Sequence, residues 1–421
     1  MDRSGVTIGV TLPSPELVVL DNGLRLVHIH HPAAGAGIFG IAVRAGSANE
    51  SPSEYGLAHF VEHTIFKGTR RRSSWNIINR MEAVGGELNA FTTKEETVVY
   101  SVFPPGNAVR AIELIADLAI NSRFPADELD KEREVVIDEI NSYRDTPAEA
   151  IYDEFEEYAL APTALAHNIL GTPESVRNLG SEECLRFISD NYTTANIVAF
   201  YSGPETPERI ARSVSRYFAP MAAGERTVQS AGCTSCAGVG SFEHTIQLDI
   251  HQSHVVLGTT VPGLYSPERQ AVALLANIVG GPGMNSLLNV SLRERRGLVY
   301  SVEASTAMFS TCGLLTVYFG CDSDDVPRCR RLCRNVFRQI ADGGFSGSKL
   351  ERAKRQYIGQ LSIATENREN RIMAAARSVL FRGHTVSFEE TSAAIAAVTS
   401  GQLAALAASM SEASALIYTN K

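Results

Sequence analysis

The chain has 421 residues, 44% of them hydrophobic and 20% charged, with a formal net charge of −9. That composition excludes disordered and fibrous classes and fits a globular protein of two domains, while the negative balance excludes a general nucleic-acid binder, which needs a basic face to displace counterions from phosphates. No segment reaches the roughly 18 uninterrupted apolar residues of a membrane span, and MDRSGVTIGV lacks the cationic start, apolar stretch and cleavage site of a secretory signal, so a cytoplasmic protein is expected.

From Leu17 to Ser47 two strand-like runs, LVVLDNGLRLVHIHH and GIFGIAVRAGS, are expected, the first broken by the hairpin signal Asp21-Asn22-Gly23. Helical periodicity covers 55–66, 75–84 and 108–120, with a strand-like ETVVYSVF between the last two. Pro125-Ala126-Asp127 then opens a long helix, DELDKEREVVIDEINSYRD, whose first-turn acids complement the helix dipole. The first half therefore reads as mixed α+β.

Residues 220–240, PMAAGERTVQSAGCTSCAGVG, carry neither period and are read as an interdomain linker between domains 1–219 and 241–421. The second half repeats the order of elements, with strands near 247–261, 299–304 and 313–319 and helices at 267–278, 326–341 and 348–366. YGLAHFVEHTIFKG runs against RQAVALLANIVGGP, and DELDKEREVVIDEI against SKLERAKRQYIGQL, the pattern of a duplication. In that pairing His59, Glu62 and His63 face Ala273, Ala276 and Asn277, and Glu132 and Glu139 face Ala353 and Gln360. The second half keeps the scaffold without the metal chemistry.

On a helix, His59 and His63 are one turn apart on one face, so both imidazoles can meet a single Zn²⁺ at about 2.0–2.1 Å. Glu62 stands beside them, where a general base must stand to take a proton from water. A third ligand has to come from elsewhere, and an oxygen donor from the acidic helix around Glu139 would leave the fourth position open. Glu132 and Glu139 are two turns apart and share a face, so one can ligate while Glu132 orients a ligating imidazole. A five-residue H-x-x-E-H match arises by chance on the order of once in a hundred chains of this length, so the surrounding pattern has to carry the assignment.

Other motifs read as incidental. Seven cysteines, Cys184, Cys233, Cys236, Cys312, Cys321, Cys329 and Cys333, form an odd, scattered set, for which reduced thiols are the default. His28, His30 and His31 read as the surface end of a strand, and Gly280-Gly281-Pro282-Gly283 lacks the Lys-Ser/Thr of a phosphate loop.

His59-Phe60-Val61-Glu62-His63, followed by Glu132 and Glu139 in EREVVIDEI, resembles the pitrilysin and insulinase family of zinc peptidases, whose metal motif reverses the usual zincin order. LDNGLRLV, AVRAGSANE, GGELNAFT and LRERRGLVYSV resemble further family segments, so the likeness spans nearly the whole chain. The resemblance implies two homologous α+β domains, each an antiparallel sheet packed with helices, facing across a cleft. It implies one Zn²⁺ per chain on His59, His63 and Glu139, with Glu62 as general base and Glu132 supporting the ligands. It places Asn89-Ala90 on an edge strand that pairs with an extended peptide. Arg293 would bind substrate carbonyls, and the Tyr300 hydroxyl would stabilise the oxyanion. The implied activity is that of a zinc endopeptidase acting on peptides or unfolded polypeptides. A homodimer is the simplest assembly, with a heterodimeric processing peptidase or a non-catalytic scaffold subunit as alternatives.

Overall fold

The computed structural model describes residues 13–224 and 241–421. Of the stretch expected to be the linker, residues 225–240, with Cys233 and Cys236, lie outside the described residues. The first half runs β1 (Glu16–Val19), β2 (Arg25–His30), β3 (Gly37–Val43), α1 (Leu57–Thr64), α2 (Ser74–Glu82), β4 (Glu87–Thr92), β5 (Thr97–Phe103), α3 (Ala108–Asn121), α4 (Ala126–Arg144), α5 (Pro147–Leu160), α6 (Pro173–Asn178), α7 (Ser181–Asn191), β6 (Ile197–Gly203) and α8 (Pro207–Phe218). The second runs β7 (Glu243–Leu248), β8 (Ser253–Val261), α9 (Arg269–Gly280), β9 (Val299–Met308), β10 (Gly313–Cys321), α10 (Val326–Gln339), α11 (Ser348–Ala364), α12 (Arg368–Arg382), α13 (Phe388–Ala396), α14 (Ser400–Ser409) and β11 (Ser414–Asn420). Among the described residues no single helix is long and apolar enough to cross a membrane.

The β1–β2 hairpin turns where Asp21-Asn22-Gly23 indicates. Gly23 takes φ +82°, a conformation that suits glycine, and the Asn22 side chain accepts the Leu24 N–H. The strands assemble into two sheets, ordered β1-β2-β6-β3-β5-β4 and β7-β11-β8-β10-β9. Each is antiparallel except for one pair, β2 with β6 and β7 with β11. The later strand of each parallel pair comes from far along its half, β6 after α7 with only α8 following, and β11 after α14.

Alternation along the strands gives each sheet two apolar faces. In the first sheet Phe39, Ile41, Val99 and Phe103 join the core made with α1, α3, α4 and α8. The opposite face, with Val27, Ile38, Val198 and Phe200, is covered by Ile372, Ala376, Val379 and Leu380 of α12, a helix of the second half. Reciprocally, Val256, Leu314, Leu416 and Tyr418 on one face of the second sheet pack against Ile151, Phe155 and Leu160 of α5, a helix of the first half. Gly258 of β8 permits this approach, since a Cβ there would lie 2.7 Å from the Phe155 ring. α5 follows α4 as α12 follows α11, so the duplicated halves exchange equivalent helices.

Candidate metal centre

α1 buries Leu57, Ala58, Phe60 and Val61 in the first core, which turns His59, Glu62 and His63 together towards α4. α4 in turn buries Leu129, Val136 and Ile140, and presents Glu132 and Glu139 from the neighbouring face. His59 Nε2 and His63 Nε2 both face Glu139 Oε2, at 3.7 and 3.3 Å. One ligand atom from each of the three residues lies within 4.8 Å of the others. Two imidazoles and a carboxylate at this separation fit a tetrahedral zinc site with one position left open. Burial pushes the His59 pKa down to about 3, which keeps the ring in the neutral form that ligates a metal.

The other nitrogen of His63, Nδ1, is 3.4 Å from Glu132 Oε2, and Glu132 Oε1 is 2.5 Å from Lys67 Nζ. This chain orients the His63 ring with Nε2 towards Glu139. Lys67 is a residue the sequence reading passed over, although it lies one turn beyond His63 in the segment leaving α1. Burial raises the Glu62 carboxyl above its usual range, against the pull of Thr92 of β4 and of His63 close by. Glu62 therefore sits between the paired histidines and the outermost strand of the first sheet.

In the second half α9 and α11 stand as α1 and α4 do in the first. At the positions facing His63 and Glu139, the Asn277 amide donates to Gln360 Oε1 at 2.7 Å. The contact between the two helices survives as a neutral hydrogen bond, with Ala273 in place of a ligand.

Asn89 and Ala90 lie in β4 opposite Tyr100 and Val99 of β5, and among the described residues β4 has no partner on its other side. Arg293 lies in a π-helical turn, Asn289–Glu294, and Tyr300 near the start of β9, the edge strand of the second sheet. Gly297, at φ +59°, reverses the chain between them and brings the Arg293 guanidinium 6.0 Å from the centre of the Tyr300 ring. Tyr300 is 83% exposed, and no hydrogen bond or ion pair joins either residue to the histidine–glutamate cluster.

Two sequence expectations need correction. His28 is buried, not at a surface end: its Nε2 bonds the Glu205 carbonyl at 3.1 Å and its ring stacks on Tyr201. Period-two alternation shows which residues share a face but cannot show that α8 and α12 leave neither face of β2 in water. The thiols are not uniformly reduced either. Cys184, Cys321, Cys329 and Cys333 are free and buried, whereas Cys312 is disulfide-bonded, and an odd count never forbade a single bridge.

A family profile described as insulinase, peptidase family M16, matches residues 25–173, and one described as peptidase M16 inactive domain matches 178–357. An uncharacterized zinc protease of Streptomyces coelicolor is 32% identical over 403 residues, covering 92% of this chain and 85% of its own length. One from Mycobacterium tuberculosis is 32% identical over 395 residues, covering 94% and 90%. Among solved structures, a protease from Helicobacter pylori superposes with a TM-score of 0.87 at 18% identity, over 97% of this chain and 100% of that one. A peptidase M16 inactive domain from Pseudomonas fluorescens gives 0.86 at 17%, over 97% and 98%, and at such identity both likenesses speak to fold alone. With the two profiles together spanning most of the sequence and curated relatives aligned nearly end to end, this chain belongs to the insulinase family of peptidases, M16.

Proposed function

We propose that this chain is a zinc-dependent endopeptidase acting on peptides or unfolded polypeptides, with His59, His63 and Glu139 as the metal ligands. The observation that carries this reading is the convergence of those three side chains on one point beside a half-buried glutamate. A bound zinc would supply Lewis acidity, polarising the scissile carbonyl and making water a nucleophile near neutral pH. Glu62 takes the proton of the attacking water on its carboxylate and passes it to the departing amine nitrogen; its raised pKa suits both transfers. Glu132 and Lys67 keep the His63 ring in place.

The substrate strand lies along the open edge of β4 beside Asn89 and Ala90, where backbone groups not used by β5 are available to pair with it. Arg293 and Tyr300, adjacent on the second half, bind substrate carbonyls and support the oxyanion once the chain is engaged. One chain carries both the ligand set and the Arg/Tyr pair, which favours a homodimer over a pairing with a ligandless subunit.

The test is zinc content and cleavage of a mixed peptide library by the purified chain, beside Glu62→Gln. About one zinc per chain with cleavage, and a variant that keeps its metal but loses at least a hundredfold in kcat, is the expected result. Metal-replete protein that holds no zinc overturns the ligand assignment. Zinc without cleavage by the chain alone overturns the self-sufficient homodimer and favours a heterodimeric processing peptidase.

A further inference from the structure

α1 has an unusual start for a helix that carries two metal ligands. Its first boundary residue, Gly56, is in the left-handed region at φ +95°, and a Cβ there would come 2.6 Å from the Leu170 carbonyl oxygen. The position thus requires glycine, and glycine has no side chain with which to cap the helix. The helix is only eight residues long, and His59 falls in its first turn. Unsatisfied N–H groups at that end would loosen the turn that holds one ligand in register with the other.

The missing cap comes from Glu50, six residues upstream. Its Oε2 accepts the Gly56 N–H at 2.8 Å and its Oε1 the Ala58 N–H at 2.7 Å, so two of the N–H groups at this end are satisfied. The carboxylate is itself fixed by His167, whose Nε2 donates to Oε2 at 3.1 Å and whose ring lies flat on Tyr55, with centroids 3.8 Å apart. The segment carrying His167 grips the same turn again, since Ser175 Oγ donates to the Tyr55 carbonyl at 2.6 Å. Lys94, in the turn that follows β4, donates to the His167 carbonyl at 2.9 Å and pairs with Glu156 at 3.3 Å. One buried cluster therefore ties the helix of the metal ligands to the hairpin of the proposed substrate strand.

We infer that Glu50, held by His167, is a positioning residue: by capping α1 from a distance it fixes His59 in the geometry that metal binding and proton transfer need. Neither residue touches metal or substrate. The inference rests on the zinc reading above and concerns residues outside the ligand set.

The experiment compares wild type with Glu50→Gln, His167→Asn and, as a control, Asp153→Asn. Asp153 accepts from Asn168 at 3.0 Å in the same region without touching α1. Apparent zinc affinity is measured by chelator competition, the thermal midpoint on the metal-free proteins, and kcat and KM on a peptide cut by wild type. Glu50→Gln and His167→Asn are expected to weaken zinc binding by roughly ten- to a hundredfold and to lower kcat with little change in KM. Asp153→Asn should lower the midpoint while leaving zinc affinity unchanged. Zinc affinity in either Glu50→Gln or His167→Asn equal to that of wild type overturns the inference, as does an equal weakening by Asp153→Asn. Should Glu50→Gln fail to fold, His167→Asn decides alone. Wild type that binds no zinc instead overturns the functional reading.

Discussion

Residue identities carry two sharp expectations. Glu132 lies between Lys67 and the free nitrogen of His63, so Glu132→Gln should weaken zinc binding by roughly ten- to a hundredfold without unfolding the chain. Chelator competition together with a denaturation curve checks this, and unchanged affinity would show that the His63 ring is held by packing alone. His28 gives a pH signature away from the site. Burial lowers its pKa from 6.5 to about 4, so the unfolded chain binds the proton more readily between those values. Stability is therefore fully present above about pH 6.5 and falls as pH drops towards 4, by on the order of 3 kcal/mol from this residue. Urea midpoints measured across that range should flatten in His28→Gln; an unaltered slope would assign the acid sensitivity to other groups.

At the scale of elements, the segment leaving α1 is anchored on α3 by a buried charge. Asp117, 2% exposed, accepts from Arg72 Nη1 at 2.5 Å, Thr69 Oγ1 at 2.8 Å and Asn121 Nδ2 at 2.9 Å, and Arg72 also bonds Glu113. Arg72→Met removes the nearer cation and leaves the buried carboxylate with only the exposed Arg71, 3.8 Å away, which costs about 3 kcal/mol. Chemical denaturation reads that loss directly, and a loss below about 1 kcal/mol would mean water replaces the guanidinium. The helices α1 and α4 were legible from sequence because the helical period fixes which side chains share a face. That period brought His59 beside His63 and Glu132 into line with Glu139. It carried no information about Glu50, because a cap that reaches back over a turn from six residues before the helix boundary follows neither the helical nor the strand period. The same reason hid Lys67's role, although its place one turn beyond His63 was a signal that could have been used.

For the molecule as a whole, the exchange of α5 and α12 makes the two halves share their cores. Phe155 belongs to the first half in sequence, yet its ring packs on β8 of the second. Phe155→Ala should cost about 3–5 kcal/mol. It should also lower stability in both halves together, because neither sheet keeps both faces covered without the other's helix. Thiol labelling along a urea gradient tests this, since buried Cys184 lies in the first half and Cys329 and Cys333 lie in the second. One common midpoint, shifted equally by the substitution, is expected; separate midpoints would show halves that fold on their own.

The sequence by itself determined the duplicated α+β plan, the histidine-bearing face of α1 and the acidic face of α4. These are set by short-range periodicities and by residue chemistry that reads the same in any context. Only the tertiary structure decided that equivalent helices are exchanged, that β2 is covered on both faces so that His28 is buried, and that Glu50 and His167 hold the start of α1. It also decided that Asn277 and Gln360 keep, as a neutral hydrogen bond, the contact that His63 and Glu139 make in the first half. Apart from the Glu50 cap, which reaches over one irregular turn, these contacts join residues far apart in the chain, and burial and partner choice at such distances follow from how the sheets and helices pack rather than from any local pattern.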